Sequence, residues 1–333
     1  NIGTAIANLL AYNVDVLLYS RQAETVAAIN TEHHNFGVPL SPRVRGTDDL
    51  QELAKSCTLI FPIVPSDSFR EVMQQVGPYL RPYHVLIHGT KGFDLTGEDE
   101  TKLEEINVTR TNVHTMSEVI VQESAVMRVG CLSGPNLAKE IMEGQPTATV
   151  IGSRFDEVIE YGQAVLGSKH FHVFGTHDIL GAELAGALKN MIAIGSGILK
   201  GQGLGKNIQA MLITRGLMEM VYFGKAMGSE SRAFLGTAGI GDLVATATSK
   251  NSRNFTFGFR LGQGDTVEDI QATMPELAEG VRTLKIAHSL ARYYKLRVPI
   301  TQMLYEIVFH GMDIGRAIEF LMTYPYDVDV DFL

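Results

Sequence analysis

Cysteine is scarce in this sequence of 333 residues, with only Cys57 and Cys131, far apart and in no CxxC pair. That excludes a disulfide framework and a thiolate metal cluster, so both are expected as buried thiols in a reducing compartment. Positive charge is also short: 28 Lys and Arg stand against 37 Asp and Glu, a net charge of −9. A general nucleic-acid binder is thereby excluded, while a local basic pocket stays open. Long apolar runs are missing too. The most apolar stretch, Leu184–Leu199, falls short of the roughly 20 residues a membrane span requires. No signal peptide or transit sequence is visible, and a cytoplasmic protein is expected. His170 and His172 lie in a strand-like run away from carboxylates, so no metal site is expected there. The acidic tail at Asp327, Asp329 and Asp331 reads as a solvated terminus.

What is present is ordinary globular material, 45% hydrophobic and 20% charged, enough for a real core. Its length suggests two domains. Within Leu184–Leu199 (LAGALKNMIAIGSGIL) the single charge is Lys189. Leu184, Leu188, Met191, Ile192 and Ile198 recur at helical spacing. Ala185, Gly186, Gly195 and Gly197 are small enough for neighbouring backbones to approach closely. Such a helix should be buried, and a lysine is almost never buried without a partner. A desolvated amine suits general acid/base work; the alternative is a lysine whose head reaches the surface from a core helix.

At the start of the chain, Ile2-Gly3-Thr4-Ala5-Ile6 opens an apolar helix and Val14–Tyr19 reads as a strand. This resembles the back half of a dinucleotide-binding βαβ unit, with Gly3 as the third glycine of the G-x-G-x-x-G turn and Asn1 and Ile2 just before it. The first strand and the first two glycines of such a unit are expected upstream of Asn1. After the Val14–Tyr19 strand comes Ser20-Arg21 instead of an acid, which suits the 2′-phosphate of NADP or tolerance of both NAD and NADP.

Further along, residues 58–65 and 84–88 read as apolar strands with a helix at 66–76 between them. Gly89-Thr90-Lys91-Gly92 follows the second, Ser133–Glu140 opens another helix, and residues 146–152 and 171–174 are again strand-like. Strands alternating with helices argue for a parallel sheet with its ligands beyond the strand carboxyl ends. From His177 onward the pattern is helical, at 178–200, 206–227, 231–236, 254–263, 280–294, 300–308 and 313–322. The expected architecture is α/β: a Rossmann-type parallel-sheet domain over 1–176, then an all-α domain over 177–333.

One segment of the helical part is dense in glycine, hydroxyls and charge. Thr237-Ala-Gly-Ile-Gly-Asp242 is followed by Thr246 and then by Ser252-Arg253-Asn254, a ready anion site at a helix start. With Lys189-Asn190, Gly89-Thr-Lys91-Gly92, Ser133-Gly134-Pro-Asn136 and Glu279-Gly280, this resembles the bacterial-type glycerol-3-phosphate dehydrogenases over nearly the whole chain.

The resemblance implies an oxidoreductase that interconverts sn-glycerol 3-phosphate and dihydroxyacetone phosphate with NAD(P)H, supplying glycerol phosphate for phospholipids. It implies Lys189 as the acid/base, with Lys91, Gly134, Asn136, Asp242, Ser252, Arg253 and Asn254 on the substrate. It also implies Asn1, Ile2, Gly3, Arg21, Lys91, Ala138, Arg253, Leu277 and Glu279 on the cofactor. Asn136 departs from the Thr or Ser more usual in the family, and residues 30–48 lack its usual loop. A phosphorylated small molecule is the implied partner, with no nucleic acid, no metal and no membrane span. A homodimer through the faces of helices 206–227 and 300–322 is the implied assembly. Two alternatives stand beside this reading: a related two-domain hydroxy-acid dehydrogenase, and a non-catalytic nucleotide-binding sensor on the same scaffold.

Overall fold

The computed structural model describes residues 2–97, 108–274, 278–325 and 328–329. The chain divides into two compact units, Asn1–Asp94 with Met116–Ile179, and Leu95–Thr115 with Leu180–Leu333.

The first unit is a sheet between helices. Val16–Tyr19 pairs in parallel with Val44–Thr47, from Val16 opposite Val44 to Tyr19 opposite Thr47. Five more strands run in the order Phe171–Thr176, Thr147–Ser153, Arg128–Ser133, Val85–His88, Leu59–Ile60. The two pieces share their layers. Val16 and Leu59 pack on one face with Ile6, Ile87 and Ile151, while Leu17 and Ile60 pack on the other with Phe69, Leu86 and Val129. That division follows from successive strand residues pointing to opposite faces. Helices Ile2–Leu10 and Asp156–Leu166 cover the first face; Phe69–Val76 and Met116–Glu123 cover the second.

In the first unit the structure refines the sequence expectations in two places. The strand expected over 58–65 is reduced to Leu59–Ile60, because Pro62 and Pro65 carry no N–H for a ladder. The sheet is also mixed and not purely parallel. Arg128–Ser133 runs parallel to Val85–His88 but antiparallel to Thr147–Ser153. Gly134, at φ +122, turns the chain out of that strand, a conformation other residues rarely adopt.

Among the described residues the second unit is helical apart from Leu95 and the short strand Val113–His114. Its centre is Ile179–Gly201, of which every residue from 181 to 199 is buried. Around it are Lys206–Met227, Asp242–Thr248, Arg253–Gly262, Val267–Thr273, Glu279–Tyr294, Pro299–His310 and Ile314–Thr323. Residues 231–236, expected as a helix, form only a short 3-10 turn at Arg232–Leu235. The glycines explain how the central helix meets its neighbour. A Cβ at Gly258 would lie 1.9 Å from Ile194 O, and one at Gly262 would lie 2.4 Å from Ile198 O. From the other side, a Cβ at Gly197 would lie 2.1 Å from Phe255 O. Backbone therefore rests on backbone, in steps of one turn, along Ile179–Gly201 and Arg253–Gly262.

The apolar packing of this unit contains the buried carboxylate of Glu219. Glu219 accepts from Ile300 N (2.6 Å), Thr301 N (2.9 Å) and Thr301 Oγ1 (2.7 Å), capping Pro299–His310 from another helix. Burial pushes its carboxyl up to about 7, against the three hydrogen bonds, which pull it down. Among the described residues no helix is long and apolar enough to cross a membrane.

Candidate active site

The central helix Ile179–Gly201 carries two polar groups, Lys189 and Asn190, that meet neighbouring helices. Lys189 sits mid-helix and is only 5% exposed, so its head does not reach solvent. It donates to Asp242 Oδ1 and, at 2.6 Å, to Thr246 Oγ1. Thr246 in turn donates to Asp242 at 3.3 Å, which its position one turn along the same helix allows. The ion pair compensates the burial of both charges, and the threonine satisfies a further N–H.

One residue on, Asn190 Oδ1 accepts from Asn254 Nδ2 at 2.9 Å, and Asn254 Oδ1 accepts from Gly280 N at 2.9 Å. The glycine crossing accounts for this contact: 190 and 254 each precede by one turn the touching pair Ile194 and Gly258. Ser252 caps Arg253–Gly262, its hydroxyl accepting from Phe255 N at 3.3 Å. Arg253 is the first residue of that helix and exposed, and Glu279 is the first residue of Glu279–Tyr294. Asp242, Arg253 and Glu279 thus all stand at helix starts, where N–H groups and the dipole favour an anion.

In the first unit, Lys91 Nζ donates to Gly134 O at 2.7 Å. Asn136 Nδ2 donates to Thr149 Oγ1 at 3.0 Å, two residues beyond Gly134. Ile2 and Ala138 pack against one apolar cluster, and Gly3 lies in the first turn of Ile2–Leu10. Arg21 is exposed just past the strand Val16–Tyr19. A cavity of about 560 Å³ opens beside Tyr19, Asp48 and Asp49, at the carboxyl ends of the two paired parallel strands. Open α/β sheets take their ligands at such ends. Asn1 and Leu277 lie outside the described residues, as do Asp327 and Asp331 of the acidic tail. Among the described residues no group of three or more His, Cys, Asp or Glu is placed to hold a metal ion.

Within each unit, then, the structure joins Lys91 to Gly134, Lys189 to Asp242, and Asn254 to Gly280. The sequence reading gave no role to Thr246 or Asn190. Thr246 had one signal, its four-residue spacing from Asp242; Asn190 had only its place beside Lys189. The chemistry available is a buried ammonium held by a carboxylate and a hydroxyl, near polar helix starts suited to a phosphate.

Comparisons with known proteins show the family. Residues 1–158 match the N-terminal part, and residues 178–319 the C-terminal part, of the NAD-dependent glycerol-3-phosphate dehydrogenases. A protein of Alcanivorax borkumensis named glycerol-3-phosphate dehydrogenase (NAD(P)+) is 38% identical over 100% of this chain and 94% of its own length. One from Azotobacter vinelandii bearing the same name is also 38% identical, over 100% of this chain and 95% of its own. The crystal structure of the Coxiella burnetii glycerol-3-phosphate dehydrogenase superposes with a TM-score of 0.85 at 30% identity, covering 96% of this chain and 95% of that one.

Proposed function

This chain belongs to the NAD-dependent glycerol-3-phosphate dehydrogenase family, and from that premise we propose how its residues divide the work. The chain is an NAD(P)-dependent oxidoreductase that interconverts sn-glycerol 3-phosphate and dihydroxyacetone phosphate. The bound nicotinamide supplies the hydride for reduction and accepts it in the reverse direction. Lys189 gives a proton to the C2 oxygen as that oxygen gains charge, and takes it back when the alcohol is oxidised. Asp242 keeps the ammonium charged in a buried position, and Thr246 fixes its direction. Ser252, Arg253 and Asn254 hold the phosphate, Arg253 with its planar fork and Asn254 with a neutral amide. Lys91, Gly134 and Asn136 contact the substrate. Gly3, Arg21, Lys91, Ala138, Arg253 and Glu279 contact the cofactor, as do Asn1, Ile2 and Leu277, and Arg21 favours NADPH.

The observation that carries this reading is the buried Lys189–Asp242–Thr246 cluster, because a sensor has no need of a sequestered proton donor. Glycerol phosphate for phospholipids is the product in the cell. A cytoplasmic homodimer completes the reading, supported by two cysteines that form no disulfide and by exposed Phe320 and Met322 on the helix Ile314–Thr323. A substrate panel tests it: dihydroxyacetone phosphate against hydroxy- and keto-acids, with cofactor oxidation followed by absorbance. Turnover of dihydroxyacetone phosphate alone is expected. Preference for a carboxylate substrate would give the hydroxy-acid alternative, and cofactor binding without any turnover the sensor.

A further inference from the structure

Lys91 stands in a stretch without regular structure, so neither a ladder nor a helix holds it in place. Residues 89–93 follow directly on the strand Val85–His88. The near end of this turn is fastened to the preceding strand segment: Gly89 N donates to Pro62 O at 3.0 Å, and Thr90 Oγ1 donates to Val64 O at 2.6 Å. The far end is fastened by a side chain. Arg70, the second residue of Phe69–Val76, donates to Asp94 Oδ2 through Nε at 3.0 Å and Nη2 at 2.7 Å.

The same guanidinium reaches the helix Met116–Glu123. Its Nη1 donates to Glu123 Oε1, and its Nη2 also donates to Gln122 Oε1 at 2.7 Å. Four donations from one planar fork fix its direction, which a compact ammonium on a flexible stem would not reproduce. The side chains are mostly out of solvent, with Arg70 19% and Asp94 9% exposed, so the pair is screened far less than one on the surface. Flanked by two carboxylates, the guanidinium is a poor place for a phosphate. Its position along the chain is also particular. Asp94 is the last residue before the chain passes to the helical unit, and Met116–Glu123 begins where it returns. Arg70 thus ties the point of departure to the helix of return, with the Lys91 turn immediately upstream.

We infer that Arg70 is a positioning residue for the reaction: by holding Asp94 it fixes the turn that presents Lys91, and it touches neither substrate nor cofactor itself. This rests on the role proposed above for Lys91 in the dehydrogenase reaction. Lys91 Nζ already donates to Gly134 O at 2.7 Å, a contact that depends on where the turn places its Cα. A turn anchored at one end only would let the ammonium wander from that carbonyl.

A double-mutant cycle on the purified protein tests this: Arg70→Met, Lys91→Ala and the pair, with kcat/KM for dihydroxyacetone phosphate and melting temperature read on each. Arg70→Met is expected to lower kcat/KM about 10- to 100-fold, the effect of misplacing a binding group by about an ångström. In Lys91→Ala, where no ammonium is left to misplace, the same change should lower it by about twofold or less. Asp94→Asn leaves Arg70 its partners on Met116–Glu123 and should reproduce the pattern, which keeps the test decisive if Arg70→Met does not fold. Glu123→Gln loosens the opposite side of the fork; it should lower the melting temperature and leave kcat/KM within about twofold. A second readout needs no turnover. Trace labelling with acetic anhydride, followed at each lysine by mass spectrometry, should modify Lys91 several-fold faster in Arg70→Met and Asp94→Asn, with the exposed Lys200 and Lys206 unchanged. Equal losses in the two backgrounds, equal losses for Asp94→Asn and Glu123→Gln, no loss at all, or unchanged labelling of Lys91 would overturn the inference. Faster labelling of Lys91 in the variants of a protein that, unmodified, turns over no dihydroxyacetone phosphate would overturn the dehydrogenase reading and leave Arg70 as the holder of the turn.

Discussion

Replacing Gly258 by Ala tests the step that links packing to the site. The added carbon would stand 1.9 Å from Ile194 O, and the obstacle is backbone that no rotamer change can remove. An ordinary contact needs 3.4 Å or more, so the two helices must part by more than an ångström. Overpacking of this kind costs about 1–3 kcal/mol, and a backbone obstacle belongs at the upper end. At about 2–4 °C per kcal/mol for a chain of this order, melting should fall by about 5–10 °C. The same movement pulls Asn254 from Asn190 and from Gly280 N, both now 2.9 Å away, and tilts the helix start that carries Ser252 and Arg253. Differential scanning calorimetry and kcat/KM for dihydroxyacetone phosphate, measured on one preparation, should therefore fall together. Gly205→Ala is the control, since a Cβ there meets nothing within 4 Å and its φ of −83° suits any residue. A Gly258→Ala protein that melts and turns over like the control would refute the argument that this crossing positions the site.

Three further outcomes follow from single groups. Asp242→Asn leaves Lys189 buried without its counter-charge, so unfolding free energy should drop by about 3–5 kcal/mol in denaturant titrations, along with activity. The Glu219 carboxyl titrates near 7 when folded against an ordinary 4.5, so the folded state holds the extra proton between those values. Its contribution is complete below pH 4.5 and is lost as pH rises through about 7. Stability should fall by up to about 3 kcal/mol across that window, and Glu219→Gln should flatten the decline in melts at several pH values. Arg21→Ser should raise KM for NADPH by about tenfold, the worth of one charge-assisted phosphate contact, and leave KM for NADH nearly unchanged in initial-rate assays.

Much of this was legible in the chain because a few residues violate their surroundings. Lys189 stands alone in an apolar helix, and the structure gives it a carboxylate partner. Glu219 carries the same signal, a single acid within Leu217–Phe223, and the sequence reading passed over it. The glycine pairs 197/201 and 258/262 mark a close crossing by their spacing, yet nothing in either helix alone says that the two meet. Thr246 was not legible as a partner of Lys189, because its role exists only once two helix faces meet. Val44–Thr47 reads VRGT, too short and too polar to announce a strand; its pairing with Val16–Tyr19 decides its conformation. The inclusion of Leu95–Thr115 in the helical unit likewise has no periodic signal.

The central claim is that Lys189 moves the proton at the substrate oxygen, and Lys189→Ala tests it most directly. Single-turnover oxidation of NADPH by dihydroxyacetone phosphate should slow by at least about 1,000-fold in the variant. NADPH affinity, read from nicotinamide fluorescence, should stay within about threefold, since Lys189 has no assigned contact with the cofactor. A variant that binds NADPH normally and reduces dihydroxyacetone phosphate at the unmodified rate would contradict the account and remove the buried ammonium from the chemistry.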